Sequence, residues 1–315
     1  MDKKYYFHFI DDVIWVFRDL ARQKPASLFD NSYFKMLKNA HDNYGLKVQL
    51  NVFYRTDYAY GADEFTLSEM PENYKKEFEM ASDWLKLGVH ALQEFPDYPF
   101  INATYDDVYK VYNLIKNEIV RFAGEKSFGY GMIGHWVPVS KEGCRALYDS
   151  GVRMLSVSVG KREEYNGDPE SLPYGHVFRL LQGKTPDTMT FIRAGKNQAI
   201  SHSICSYNHI EDPEFEDNDR VLGYRYDEET GLIFKKLDCE FDLNQNTLEE
   251  LKEELIKRKD HTLLCIGNHE QYYYPDYCNY QPEYEEKIYE MARSLKEAGR
   301  ECIFIEDLVE LGKGK

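Results

Sequence analysis

The sequence predicts an α/β protein, an incomplete (β/α)7 barrel of the TIM-like kind with a β-rich insertion after its fifth strand. Short runs of Val, Ile, Phe and Tyr alternate with longer segments of helical periodicity, which is the pattern of repeated βα units around a parallel sheet. The 315 residues, 43% of them hydrophobic, are enough to bury one large core. We therefore predict a single barrel domain over residues 1–315.

Seven apolar runs are predicted to form the strands. They cover residues 5–10, 47–54, 85–89, 129–133, 153–159, 262–266 and 302–305. Four of the connecting segments have a clear apolar face or a Ser or Thr cap at their start, and read TYDDVYKVYNLIKNEIVRFAG, SKEGCRALYDSG, TLEELKEELIKRK and QPEYEEKIYEMARSLKEAG. These segments are predicted to be the crossover helices of the barrel.

The segment from residue 161 to about 244 interrupts this rhythm. It contains Gly-Asp-Pro, Leu-Pro-Tyr-Gly and the acidic loop EDPEFEDNDR, followed by two apolar runs around Glu-Thr-Gly that predict a β-hairpin. We interpret it as an insertion on the barrel rather than as a separate domain.

Charge and cysteine content exclude several classes of function. The net charge of -16 repels the phosphates of nucleic acids and anionic lipids. No window approaches the ~18 apolar residues of a membrane helix, and the start MDKKYYFHFIDD lacks the apolar region of a signal peptide, so we expect a cytoplasmic protein with no membrane partner. The six cysteines include no C-x-x-C pair, which disfavours a zinc knuckle or a redox motif.

Polar or ionisable residues follow six of the seven predicted strands. Active sites of βα barrels are built at the carboxyl ends of their strands, so these groups are expected to meet at one mouth. In chain order they are Asp11-Asp12, Arg55-Thr56-Asp57, His90, His135-Trp136, Asn268-His269-Glu270 and Glu306-Asp307.

Three of these strand ends resemble one known family. The segment FHFIDD resembles the Thr-Phe-Asp-Asp motif of the polysaccharide deacetylase superfamily, which comprises carbohydrate esterases with an incomplete seven-stranded barrel. GVHALQEFPDYPF stands where that family has His-x-x-x-His, and CIGNHEQYY stands where a late strand ends in a histidine. The resemblance implies a metal-dependent hydrolase that removes an acyl group, foremost acetyl, from an N- or O-acylated carbohydrate.

The resemblance also implies roles for individual residues. Asp11 would be the catalytic base and His269 the general acid, with Asp12 and His90 as metal ligands. Glu94 occupies the place of the family's second histidine; four residues after His90, it would lie on the same face of a helical turn and complete the ligand set. The expected cofactor is a divalent ion, zinc first, with nickel or cobalt as alternatives.

Substrate positioning is predicted for Arg55, His135 and Trp136. The family's Arg-x-Pro-Tyr motif is missing here, and GHWVPVS stands in its place. His135 or Trp136 would therefore have to take over the positioning of the base or of the sugar.

Three other interpretations stay open at the level of sequence. Asp12 can be read as the N-cap of the helix that follows the first strand. The carboxylates Asp11, Glu94, Glu270 and Glu306 would suit a glycoside hydrolase. The departures from the family motifs also fit a degenerate barrel that binds a glycan or a protein without turnover.

Overall fold

The computed structural model describes residues 3–56, 64–94, 99–100, 103–137, 139–159, 209–210, 222–236, 243–244, 246–277 and 280–313. The strands are β1 (Tyr5–Val13), β2 (Val48–Phe53), β3 (Leu85–Ala91), β4 (Gly131–Met132), β5 (Met154–Val159), β6 (His209–Ile210), β7 (Arg225–Tyr226), β8 (Ile233–Lys236), β9 (Leu263–His269) and β10 (Glu301–Cys302). The helices are α1 (Trp15–Gln23), α2 (Ser32–Tyr44), α3 (Lys75–Met80), α4 (Tyr105–Ala123), α5 (Lys141–Asp149), α6 (Leu248–Lys257), α7 (Tyr284–Glu297) and α8 (Leu308–Leu311).

Parallel pairing dominates the sheet. β1 lies between β9 and β2, and β3 continues the sheet beyond β2. β4, β6 and β8 all pair in parallel with β5, and a parallel bridge between Leu87 and Phe128 links β3 to the segment before β4. From β1 to β5 the strands alternate with helices, which confirms the predicted class: a mixed α/β fold consistent with an incomplete (β/α) barrel.

β1 shows how the strands divide their side chains between two cores. Tyr5, Phe7 and Phe9 face the barrel interior, where they pack with residues of the C-terminal segment. Tyr6 and Ile10 point the other way, into the larger apolar layer beneath the helices. Because a central parallel strand is covered on both faces, all nine residues of β1 are buried.

The last predicted strand is present but shorter than predicted. β10 is two residues long and pairs in parallel with the start of β1, at Tyr5 and Tyr6. The chain then turns, because the carboxylate of Asp307 accepts a hydrogen bond from the backbone N–H of Phe304 and starts a new helical turn.

The prediction that Glu306 and Asp307 reach the mouth is therefore wrong. Glu306 accepts a hydrogen bond from the backbone N–H of Tyr130, just before β4 begins, at 2.8 Å. Ile305 fills the space beside Gly131, where a Cβ atom would lie only 2.2 Å from an Ile305 methyl group. These residues close the amino-terminal end of the barrel.

The hairpin predicted around Glu-Thr-Gly is present, with β7 antiparallel to β8. β8 also pairs in parallel with β5, so this hairpin is joined to the barrel sheet. Most of residues 161–244 lie outside the described residues, and the assignment of that segment as an insertion within a single domain stays a prediction. Among the described helices, none has the length and apolar character needed to cross a membrane.

Candidate metal centre

Two adjacent carboxylates reach the same site because β1 contains a bulge. The three steps from Ile10 to Val13 on β1 face only two steps on β2, so β1 carries one extra residue there. Asp12 adopts a left-handed conformation with φ of 61°. Neighbouring side chains of a regular strand point to opposite faces. The bulge instead turns Asp12 inward beside Asp11, at the mouth of the barrel.

Asp12 does not cap the helix that follows. The side chain that caps α1 is Glu270, whose carboxylate accepts hydrogen bonds from the backbone N–H groups of Ile14, Trp15 and Val16 at 2.7, 2.8 and 2.7 Å. Glu270 is buried and thus ties the end of β9 to the start of α1. The interpretation of Asp12 as a helix cap is therefore wrong, and its carboxylate is available to the mouth.

Asp12, His90 and His135 form a compact group of candidate metal ligands. Asp12 Oδ1 lies 3.1 Å from His90 Nε2 and 3.4 Å from His135 Nδ1, and the two nitrogens are 3.1 Å apart. Ligands about 2.0–2.1 Å from a tetrahedral zinc ion stand roughly 3.3 Å from one another. The three atoms therefore match one face of such a coordination sphere, and all three side chains are buried.

Main-chain carbonyls fix which nitrogen of each imidazole faces this group. His90 Nδ1 donates to the carbonyl of Ile133, and His135 Nε2 donates to the carbonyl of Glu94, each at 2.8 Å. The nitrogens that face Asp12 are then the unprotonated ones in the neutral rings. Two lone pairs and a carboxylate oxygen within 3.4 Å of one another repel unless a metal cation lies between them or one ring takes up a proton. The donor set thus fits a divalent ion, and carbonyl partners of this kind are usual behind histidine ligands.

Glu94 lies next to this group but contributes through its backbone. Its carbonyl orients His135, while its carboxylate accepts a hydrogen bond from Gln271 Nε2 at 3.3 Å. Among the described residues, His135 stands in the ligand group where the sequence suggested Glu94. A ligand role for Glu94 stays a prediction. His135 was recognised in the sequence as a polar residue after the fourth strand. It was assigned to substrate positioning there, and not to metal binding.

Asp11 and His269 lie side by side at the mouth. They are register partners on the adjacent strands β1 and β9. His269 Nε2 lies 3.9 Å from Asp12 Oδ2, so His269 borders the ligand group without joining it. Asn51, on the inner face of β2, donates a hydrogen bond to Asp11 Oδ1 at 2.6 Å. The structure thus brings the predicted base, acid and two ligands together at one end of the barrel.

Burial and charge perturb the protonation of this cluster. Burial raises the pKa of Asp11 above its ordinary value, against the opposing pull of His90 and His269. Burial alone would lower the pKa of His90, but the carboxylates of Asp11 and Asp12 outweigh it and raise that pKa. Such perturbed groups in one concave site are typical of functional centres.

The other two predicted positioning residues lie at the rim. Arg55 follows β2, is exposed, and donates from Nε to Gln93 Oε1. Trp136 has φ of 61°, and its ring packs edge-on against that of His135 with centroids 6.2 Å apart. The role of both residues in binding stays a prediction.

The arrangement of carboxylates does not favour glycoside hydrolysis. Of the four candidates, Glu270 is committed to the start of α1 and Glu306 lies at the opposite end of the barrel. Two polar residues of the site were missed at the level of sequence, namely Asn51 and its neighbour Gln49. The available signal was the amides at alternate positions of the otherwise apolar strand VQLNVF.

Comparison with known proteins supports the fold. No protein-family model matches the chain, and no curated protein matches its sequence. The 4-alpha-glucanotransferase of Thermococcus litoralis aligns over 98% of this chain with 11% identity and a TM-score of 0.54, which shows a shared fold. The chain spans 40% of the length of that protein.

Structures of carbohydrate esterase family 4 (CE4) also align with this chain, with lower TM-scores. A CE4 family pseudoenzyme from Bacillus anthracis has 9% identity and a TM-score of 0.43, with 98% of this chain and 66% of that chain aligned. A family 4 acetyl xylan esterase from Clostridium thermocellum, solved in complex with a cobalt ion, has 12% identity and a TM-score of 0.41, with 98% and 91% aligned. These are members of the family that the motifs resemble.

Proposed function

We propose that this chain is a metal-dependent hydrolase that removes an acyl group, acetyl in the first instance, from an N- or O-acylated carbohydrate. The observation that carries the proposal is the buried triangle of Asp12, His90 and His135, with Asp11 and His269 bordering it. A cation site beside a pair of groups that can accept and donate protons is suited to the hydrolysis of an unreactive amide or ester.

Asp12, His90 and His135 would hold the ion, zinc first and cobalt or nickel as alternatives. When bound, the ion would polarise the acyl carbonyl and lower the pKa of a water molecule beside it. The proton transfers would be carried out by side chains of this protein.

Asp11 would accept the proton of the attacking water as the water oxygen bonds to the acyl carbon. His269, on the neighbouring strand, would donate a proton to the amine or alkoxide as the bond from carbon to nitrogen or oxygen breaks. The register of β1 and β9 holds these two groups side by side on neighbouring strands, so both could act on one substrate without a conformational change. Arg55 and Trp136, at the rim, would contact the sugar.

The choice of carbohydrate as substrate rests on the resemblance of FHFIDD, GVHALQEFPDYPF and CIGNHEQYY to the motifs of the deacetylase superfamily. The proposed metal centre and acid–base pair support hydrolysis at a polarised carbonyl, and they do not by themselves select a sugar. The acyl group and the sugar are therefore the parts of the proposal that an assay has to identify.

The test is acetate release by the full chain supplied with zinc or cobalt, with acetylated chito-oligosaccharides and acetylated xylan as substrates. We expect turnover that falls by about 100-fold or more in Asp11→Asn and in His269→Ala. Asp42→Asn, an exposed carboxylate on α2, is the matched control and should leave the rate unchanged. A protein that binds the metal and the glycan but releases no acetate would instead be a binding barrel without turnover.

A further inference from the structure

A column of two amides stands inside the barrel directly behind Asp11. Gln49 and Asn51 occupy alternate positions of β2, and both are almost fully buried, with 2% and 0% of their surface exposed. Buried amides cost free energy unless their hydrogen bonds are made, so their presence in an apolar strand requires a reason. Val48, Leu50 and Val52, at the intervening positions, face the outer apolar layer.

A backbone carbonyl fixes the direction of the hydrogen bonds in this column. Gln49 Nε2 lies 2.9 Å from the carbonyl oxygen of Gly131, which can only accept, so the amide nitrogen must be the atom placed there. The same nitrogen donates to Asn51 Oδ1 at 2.7 Å. Asn51 therefore presents its nitrogen to Asp11 and donates to Oδ1 at 2.6 Å. The carbonyl of Gly131 thus fixes the orientation of the Gln49 amide, and Gln49 in turn fixes the orientation of the Asn51 amide.

Two glycines on the neighbouring chain segments make room for the column. A Cβ atom at Gly88, on β3, would lie 2.7 Å from Gln49 Nε2 and 3.1 Å from Asn51 Oδ1. A Cβ atom at Gly129, before β4, would lie 2.7 Å from Gln49 Oε1. Any larger residue at either position would push the Gln49 amide out of line. The surrounding strands are thus shaped to hold this amide.

We propose that Gln49 and Asn51 are positioning residues that orient the carboxylate of Asp11 for its role as base, an inference that rests on the proposed function. The column holds Oδ1 as an acceptor and fixes the plane of the carboxylate. Oδ2 is left to take the proton of the attacking water. Asn51 acts on Asp11 directly, and Gln49 acts through Asn51.

The chain of three residues has a thermodynamic signature that needs no substrate. In urea unfolding with a chelator present, the double-mutant cycle of Asp11→Ala and Asn51→Ala should show a coupling of about tenfold or more in the unfolding constant, since hydrogen bonds to a charged group are strong. The cycle of Asp11→Ala and Gln49→Met should show a smaller coupling of about threefold to tenfold. That second coupling should vanish when Asn51 is already alanine.

The kinetic signature separates positioning from structural support. Asn51→Ala should lower kcat by about tenfold or more, while KM and the affinity for zinc change by less than about twofold, because Asn51 is not a member of the candidate ligand group and lies behind Asp11. Gln49→Met, which preserves volume, should lower kcat by a smaller factor. Asn39→Ala is the matched control: it removes a partly buried amide on α2 that donates to the Tyr289 hydroxyl, and should show no coupling to Asp11.

The two proposals fail in different ways. A wild-type protein without hydrolytic turnover overturns the proposed function, and the unfolding cycles still decide whether the column holds Asp11. A coupling near onefold between Asp11 and Asn51 overturns the positioning proposal, and so does a coupling between Gln49 and Asp11 that persists without Asn51. The expected couplings together with an unchanged kcat in Asn51→Ala would also overturn it, because the column would then be purely structural.

Discussion

His90 Nε2 and His135 Nδ1 face each other at 3.1 Å, and the second nitrogen of each ring is bonded to a main-chain carbonyl. The rings come from the ends of neighbouring parts of the barrel, β3 and the segment after β4. Because the backbone orients both of them, the ligand geometry is prepared before any ion arrives. A metal centre formed by Asp12, His90 and His135 best explains why these two rings are held in this arrangement.

The left-handed backbone at Asp12 gives a first prediction. Both Asp12→Gly and Asp12→Ala remove the carboxylate and should abolish zinc binding. Glycine accepts a φ of 61° without strain, whereas alanine pays about 1 kcal/mol for it. In urea unfolding with a chelator, the glycine variant should be the more stable of the two by about 1 kcal/mol.

Lys24 is the control for that pair, because it ends α1 with φ of 47° and lies outside the site. Lys24→Gly and Lys24→Ala should show a similar difference in stability with zinc binding intact. Equal stabilities of the two Asp12 variants would mean that the bulge does not strain this residue.

Glu270 predicts how stability depends on pH. Burial raises the pKa of Glu270 to about 7 from an ordinary value of 4.5, against the three backbone N–H groups that favour the charged form. Between these two values the folded protein keeps a proton that the unfolded chain has lost. The contribution of Glu270 to the free energy of unfolding should therefore fall as pH rises from 4.5 to 7, by about 3 kcal/mol.

The measurement is urea unfolding of the wild type and of Glu270→Gln at several values of pH. Only the difference between the two curves belongs to Glu270, so the wild type should lose stability relative to the variant across this range. A wild type that gains stability relative to the variant as pH rises would show that the backbone donors outweigh burial.

Arg55 tests the predicted contact with substrate. Its side chain is exposed and donates to Gln93, another rim residue, so Arg55→Ala should change stability by less than about 0.5 kcal/mol. We expect KM for the acylated sugar to rise several-fold with kcat unchanged, the pattern of lost uniform binding. Arg145→Ala, on the exposed face of α5, is the control. A fall in kcat without a change in KM would contradict a binding role for Arg55.

Much of the fold was predictable because it follows from hydrophobic periodicity. The observed β1, β2 and β3 overlap the predicted runs, and helices α4, α6 and α7 lie in the predicted crossover segments. The last strand was predicted too long, because Cys302 pairs with β1 whereas Ile305 lies beyond the strand and packs in the barrel interior. An apolar run reports burial, and it does not distinguish these two locations.

The site residues were predictable only where they directly follow an apolar run in the sequence, at the end of a predicted strand. Asp11, Asp12, His90 and His269 follow apolar runs, and the structure brings them together. The bulge that turns Asp12 inward depends on the register between β1 and β2, which no local pattern encodes. The orientation of His135 depends on the carbonyl of Glu94, which is 41 residues away in the chain.

Zinc binding by three proteins tests the metal centre most directly: the wild type, His135→Ala and Glu94→Gln, each produced without a histidine tag and titrated with zinc after treatment with a chelator. We predict one zinc ion per chain for the wild type and for Glu94→Gln, because the backbone carbonyl of Glu94 is unaffected by the substitution. His135→Ala should lose at least about 100-fold in affinity. A wild type that binds no zinc, or a His135→Ala variant that binds it as tightly as the wild type, would contradict the centre.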